Sequence, residues 1–193
     1  MTETSNSNFR RFELLEALHP FLKNELVVCN IGFPSQELYG IGDSDNYFYM
    51  LGSMGLASSI ALGVSKTTDR KVIAIDGDGS VLMNLGTLAT IANHAPANFI
   101  LLIVDNEAYG STGDQPTHTS KNTSLANIAR GAGVESVYEV RELETVDKLQ
   151  QCLAAEGPHI IVAKVAPGTP PVKPIPLSPG VIRDRFKAVV IEA

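Results

Sequence analysis

The stretch Lys71–His94, "KVIAIDGDGSVLMNLGTLATIANH", decides how the rest of the chain is read. Val72 to Ile75 form a short, unbroken apolar run, the pattern of a strand buried on both faces. From Ser80 onward the apolar residues fall at helical spacing. Between strand and helix lies Asp76-Gly77-Asp78-Gly79. Glycines there let backbone approach a ligand closely. The first N–H groups of the following helix suit a phosphate. An aspartate would repel a bare phosphate, but it fits where a hard divalent cation, Mg²⁺ or Ca²⁺, lies between the two. An Asp-Gly turn with a helix cap would also explain these four residues, and the stretch alone leaves both readings open.

Outward from this point, apolar runs alternate with helical patterns. Strands are expected at 25–32, 46–52, 71–77, 98–106, 136–140 and 159–166. Helices are expected near 10–23, 53–66, 80–94, 123–132, 142–155 and 178–190. This alternation predicts a three-layer α/β/α fold with a mostly parallel sheet of about six strands. Such sheets bind ligands beyond the carboxyl ends of their strands. Two segments fall outside the alternation. Residues 106–124 carry Gly110, Gly113 and Pro116 and few apolar side chains, and a loop of that length is usually functional or disordered. Residues 166–180 hold six of the chain's 11 prolines and read as an extended strap before the last helix.

Composition narrows the function. The 193 residues suffice for one substantial domain, expected over 9–193 behind a flexible tail at 1–8. The net charge of −6, from 15 basic and 21 acidic residues, argues against nucleic acid as the main partner. No apolar stretch is long enough to span a membrane, and the polar start "MTETSNSNFRR" lacks the apolar middle of a signal peptide. A cytoplasmic protein is expected, with Cys29 and Cys152 as buried, reduced thiols.

A second strand end sharpens the first. "FILLIVDNEAYGSTG" closes its strand at Asp105-Asn106 and enters the glycine-containing loop. Residues 80–105 are enough for one helix and one strand, so adjacent parallel strands would bring Asn106 beside Asp78. A carboxylate, a carboxamide oxygen and a loop carbonyl would together offer a Mg²⁺ ion three hard ligands.

This arrangement resembles the diphosphate-binding domain of thiamine diphosphate-dependent 2-oxoacid decarboxylases. The resemblance runs from about residue 9 to the end and includes "VCNIGFPSQELY", "FYMLGSMGLASSIALG", "DNEAYGSTGDQPTHTS" and "GPHIIVAKVAPGTP". It implies thiamine diphosphate and Mg²⁺ as cofactors, with Asp78, the Asn106 side chain and the Ala108 carbonyl as metal ligands. Gly77, Gly79, Ser80 and the loop Tyr109, Gly110, Ser111 and Thr112 would contact the diphosphate. The Gly52-Ser53-Met54 turn is similar to the family's pyrimidine-binding segment. By that resemblance the Gly52 carbonyl accepts from the aminopyrimidine and Met54 wedges beneath the bent cofactor. Read alone, Met54 would be an ordinary core methionine. The family often has Asn-Asn where this chain has Asp105-Asn106, and the ligand position is retained.

The resemblance also implies what this chain must borrow. Thiamine catalysis needs a glutamate against the pyrimidine ring, carried in the family on a separate pyrimidine-binding domain. None of Glu13, Glu16, Glu25, Glu37 or the later glutamates matches that motif. The chain is therefore expected to be the beta subunit of a hetero-oligomer, completed by an alpha subunit that brings the glutamate. The substrate implied is 3-sulfopyruvate, giving sulfoacetaldehyde and CO₂, with phosphonopyruvate or another small 2-oxoacid as the alternative. Ser111, Thr112, Gln115, Thr117 and His118 are the loop candidates for the sulfonate. His118 is also a candidate catalytic group, its alternative being a solvated loop residue.

Overall fold

The computed structural model describes residues 9–191, so the tail expected at 1–8 lies outside the described residues. The strands are β1 (Leu26–Cys29), β2 (Tyr47–Tyr49), β3 (Val72–Gly77), β4 (Phe99–Asp105), β5 (Ala108–Tyr109), β6 (Gln115–Pro116), β7 (Ser136–Arg141) and β8 (His159–Lys164). Six of them form one sheet in the order β2-β1-β3-β4-β8-β7, and every pairing in it is parallel. The helices are α1 (Arg11–Leu18), α2 (Phe33–Ile41), α3 (Ala57–Ser65), α4 (Asp78–Met83), α5 (Gly86–His94), α6 (Leu125–Gly131), α7 (Glu144–Leu153) and α8 (Pro179–Ile191).

The inner strands β1, β3, β4 and β8 are mainly apolar because both faces of the sheet are covered there, while the edge strand β7 leaves Glu139 and Arg141 exposed. Val72 and Ala74 pack with Ala57, Ala61, Leu88, Ile91 and Ala129 of α3, α5 and α6. Ile73 and Ile75 point the other way, into Leu14, Leu18, Leu38 and Leu149 of α1, α2 and α7. At the β2 edge, α8 supplies Ile182 to one layer and Phe186 to the other. The Phe186 ring lies 5.5 Å from that of Phe48. That cover removes an exposed strand edge, a common route to aggregation.

The fold class matches expectation, and the differences are local. The sheet is wholly parallel. Helix α2 forms within a segment rich in loop signals, "GFPSQELYG". Gly32, at φ 77°, precedes the helix, and Pro34 sits in its first turn, where a proline costs no hydrogen bond. The helix expected over 80–94 is two helices, because Asn84 leaves helical geometry at φ −143°, ψ 55°. Its amide instead donates to the Gly55 carbonyl and to Ser59 Oγ, at 3.0 and 3.1 Å. The long loop contains the small antiparallel hairpin β5–β6. Both cysteines are free and buried, and burial pushes the Cys29 thiol up to about 12. No helix among the described residues is long and apolar enough to cross a membrane.

The topology creates a crevice. The chain leaves β1 toward β2, then returns to place β3 on the other side of β1. Helix α2, after β1, packs on one face, and α5, reached from β3 through α4, packs on the other. The loops after β1 and β3 therefore diverge, and ligands of such sheets bind at this point.

At the opposite end of the sheet, His159 is buried, with its ring 6.2 Å from that of Tyr138. Burial, reinforced by nearby Lys71, holds its pKa below the usual 6.5. A depressed folded-state value means that its contribution to stability is intact above about pH 6.5 and is lost as the pH falls through the folded value. Denaturant unfolding of the native chain should therefore show stability declining below pH 6.5. His159→Phe should flatten that decline, and an unchanged slope would exclude His159 as its source.

Candidate active site

The β3–β4 register pairs Gly77 with Val104, so Asp78 and Asn106 emerge side by side. Asp78 is almost fully buried. Its Oδ2 accepts from Thr117 Oγ1 at 2.5 Å and from Thr119 Oγ1 at 2.9 Å. Thr119 Oγ1 also lies 2.9 Å from Asp105 Oδ1, so its single proton is shared between the two carboxylates, and Lys164 Nζ lies 2.7 Å from Asp105 Oδ2 and 3.0 Å from Glu107 Oε1. A continuous polar chain thus holds one oxygen of Asp78 from behind. Burial raises the Asp78 pKa, and Asp105 adds to the shift while the two threonines oppose it.

The other Asp78 oxygen faces Asn106. One terminal atom of the Asn106 carboxamide lies 3.1 Å from Asp78 Oδ1 and 2.9 Å from the Ala108 carbonyl oxygen. As nitrogen, that atom donates to both oxygens. As oxygen, it completes a triangle of hard donors that repel one another unless a cation joins them. Octahedral Mg²⁺ holds oxygens at about 2.0–2.1 Å, which separates neighbouring ligands by about 3 Å. The spacing and the chemistry of these three donors therefore fit Mg²⁺.

Ten of the expected site residues line one cavity at this crevice: Met54, Gly77, Asp78, Gly79, Ser80, Asn106, Ala108, Tyr109, Gly110 and Ser111. The Tyr109 ring lies flush on Gly79, where a Cβ would come within 2.4 Å of it, so only glycine fits. Ser80 Oγ accepts from the Gly55 N–H at 2.9 Å and lies 3.3 Å from Asn30 Oδ1. Its hydroxyl therefore ties the Gly52–Gly55 turn to α4. Gly55 has φ 91°, and an added Cβ would press on Met83 and on the Ser80 carbonyl.

Other expected residues lie elsewhere. Gly52 and Ser53 are exposed and line a neighbouring apolar hollow with Phe48, Leu51, Leu56 and Ile182. Thr112 is exposed and exchanges hydrogen bonds with Gln115, so neither faces the cavity. Thr117, a sulfonate candidate by sequence, is buried and spends its hydroxyl on Asp78. His118 is exposed in a short 3₁₀ turn and does not line the cavity, because the turn that buries Thr117 and Thr119 on Asp78 points it outward. Asp76, given no ligand by the sequence, accepts from the Gly77 N–H at 3.0 Å and so caps its own turn. Burial pushes its carboxyl up to about 6.

The sequence reading missed the loop after β1. Asn30, Ile31, Phe33 and Pro34 line the same cavity, as does Arg11 from α1. The rule that strand ends carry ligands applies to Asn30 as directly as to Asp78. Arg11 gave no such signal, because it lies far along the chain from every strand end.

Residues 31–163 match the family model "Thiamine pyrophosphate enzyme, C-terminal TPP binding domain". The chain belongs to the thiamine pyrophosphate enzymes. Within them, sulfopyruvate decarboxylase subunit beta of Methanococcus maripaludis is 49% identical over 91% of this chain and 95% of that protein. The protein of the same name from Methanocaldococcus jannaschii is 48% identical over 87% of this chain and 89% of that protein. Phosphonopyruvate decarboxylase of Streptomyces viridochromogenes is 39% identical over 87% of this chain, which spans 43% of that protein. A solved structure from Mycobacterium smegmatis, assigned as a thiamin diphosphate-dependent enzyme, shares the fold. Its TM-score is 0.68 at 21% identity, over 84% of this chain and 32% of that one. The matched span includes Asp78, Asn106 and Ala108.

Proposed function

We propose that this chain is the beta subunit of a two-subunit 3-sulfopyruvate decarboxylase that uses thiamine diphosphate and Mg²⁺. The observation that carries the reading is the cluster of the Asp78 carboxylate, the Asn106 carboxamide and the Ala108 carbonyl, set in a chain nearly half identical to beta subunits of that name over almost its whole length. Asp78, Asn106 and the Ala108 carbonyl would hold the cation. Gly77, Gly79, Ser80, Tyr109, Gly110 and Ser111 would bind the diphosphate through backbone and short side chains. When bound, thiamine diphosphate supplies the electron sink that decarboxylation of a 2-oxoacid needs. The residues of this chain would position it, with Thr117 and Thr119 fixing one oxygen of the buried Asp78 carboxylate and a bound cation offsetting the burial that raises its pKa.

Met54 lines this cavity, while its chain neighbours Gly52 and Ser53 line the apolar hollow. That location supports the wedge role, with the pyrimidine on the Gly52 side. No glutamate lines the cavity among the described residues. Glu37, the fully buried one, is bound to Arg11. Leu51, Leu56, Met83 and Leu85 stay exposed around the turn, which suits cover by a partner subunit. We therefore place the catalytic glutamate on an alpha subunit in a cytoplasmic hetero-oligomer.

Purification of the chain alone and with a co-expressed pyrimidine-domain subunit tests this. The pair should release CO₂ from 3-sulfopyruvate in the presence of thiamine diphosphate and Mg²⁺, and the chain alone should not. Full activity of the isolated chain would overturn the half-site reading. Faster turnover of phosphonopyruvate than of sulfopyruvate would move the substrate to the alternative that the Streptomyces relative represents.

A further inference from the structure

Arg11 is the one cationic side chain lining the cavity among the described residues, and it is 94% buried, with a relative exposure of 6%. Its guanidinium is fixed on two sides. Nε donates to Glu37 Oε2 at 2.6 Å, Nη2 to Glu37 Oε1 at 2.8 Å, and Nη2 again to Thr169 Oγ1 at 3.0 Å. Those three bonds use three of the five N–H donors of the fork. The two on Nη1 have no partner among the described residues, and Nη1 is not among the buried polar atoms left without one. Thr169, on the strap, lies 3.5 Å from where a Gly110 Cβ would be, and Phe33 lies 3.8 Å from the same point. The Thr169-bound side of the Arg11 guanidinium thus sits where the β1 loop, the strap and the Gly110–Ser111 loop converge.

The bidentate Glu37 pair cancels the net charge but leaves a dipole whose positive end is held at the cavity. Orienting such a fork in advance removes the rotamer entropy that an exposed arginine would lose on binding. We infer that Arg11 is an oxyanion-binding residue of this site, with Nη1 donating to a tetrahedral phosphoryl or sulfonyl group and Glu37 and Thr169 as its positioning partners. The inference rests on the cofactor reading above and extends it to the substrate class, because the same chemistry is offered by the cofactor's terminal phosphate and by the sulfonate of 3-sulfopyruvate.

The test uses Arg11→Met/Glu37→Leu, which removes the pair together so that no lone charge stays buried, and it requires an unfolding midpoint close to that of the native chain. Binding of Mg²⁺–thiamine diphosphate and Mg²⁺–pyrophosphate to the full chain is measured by calorimetry. KM for 3-sulfopyruvate and for pyruvate is measured on the complex with the alpha subunit. Loss of a charge-assisted hydrogen bond predicts a 10- to 100-fold effect, on the order expected for such bonds. Weaker binding of both diphosphates assigns Arg11 to the cofactor phosphate. A KM raised for sulfopyruvate but not for pyruvate, with cofactor affinity unchanged, assigns it to the substrate sulfonate. Unchanged values in both arms overturn the inference while leaving the cofactor reading intact. Failure of the native chain and of the complex to bind thiamine diphosphate would overturn both.

Discussion

Replacing Asp78 with alanine or asparagine should abolish Mg²⁺-dependent binding of thiamine diphosphate, with affinity falling by at least about 100-fold. Outer partners of metal ligands commonly contribute about 10- to 100-fold to affinity, and a ligand itself contributes at least as much. Asp78→Asn is the sharper variant. It keeps the shape that Thr117 and Thr119 surround, and burial already disfavours the ionised carboxylate in the free chain. The asparagine variant should therefore stay folded while losing the metal. Thr119→Val, which removes the donor shared by Asp78 and Asp105, should weaken binding by a smaller factor, about tenfold. Titration of Mg²⁺ at fixed cofactor checks both. Asp78→Asn with native Mg²⁺ dependence would remove the carboxylate from the ligand set.

The largest effect on stability should come from breaking the Arg11–Glu37 pair on one side only. Glu37 is fully buried, with Arg11 as its only side-chain partner among the described residues. Arg11→Met therefore strands a carboxylate away from water, which typically costs about 3–5 kcal/mol. Replacing both partners with apolar side chains of similar volume removes that penalty and is often close to neutral. Urea unfolding of Arg11→Met, Glu37→Leu and the double variant should thus be strongly non-additive, with the double variant more stable than Arg11→Met. Additive losses would mean that the two side chains contribute independently, through packing alone.

Fold and site were legible to different depths. The fold could be read because parallel strands covered on both faces must be continuously apolar, as "VIAI" and "FILLIV" are. The pairing of Asp78 with Asn106 followed from the same logic, since adjacent strand ends share a level. What sequence could not convey was direction. In "TGDQPTHTS" nothing distinguishes the hydroxyls of Thr117 and Thr119, which turn inward onto Asp78 and Asp105, from that of Thr112, which turns out to Gln115. Backbone dihedrals in a loop with Gly113 and Asp114 both at positive φ decide that. Helix α2 was hidden because Gly32 and Pro34 resemble loop punctuation, although proline in a first helical turn is favourable. Arg11 was hidden because its partners lie 26 and 158 residues away.

The break between α4 and α5 has a consequence beyond shape. Asn84 and Ser80 both reach across to the Gly55 backbone, and Ser59 Oγ lies 2.7 Å from Thr87 Oγ1. The Met54 turn and the start of α4 are therefore tied together by side-chain hydrogen bonds. Met54 and the Asp78 carboxylate then stand at a fixed separation, like the jaws of a locked caliper. Under the proposed roles, a ligand would have to carry its ring against Met54 and its terminal anion, bridged by a cation, at Asp78 to engage both ends. Selection by length would be built into the backbone before any partner subunit arrives.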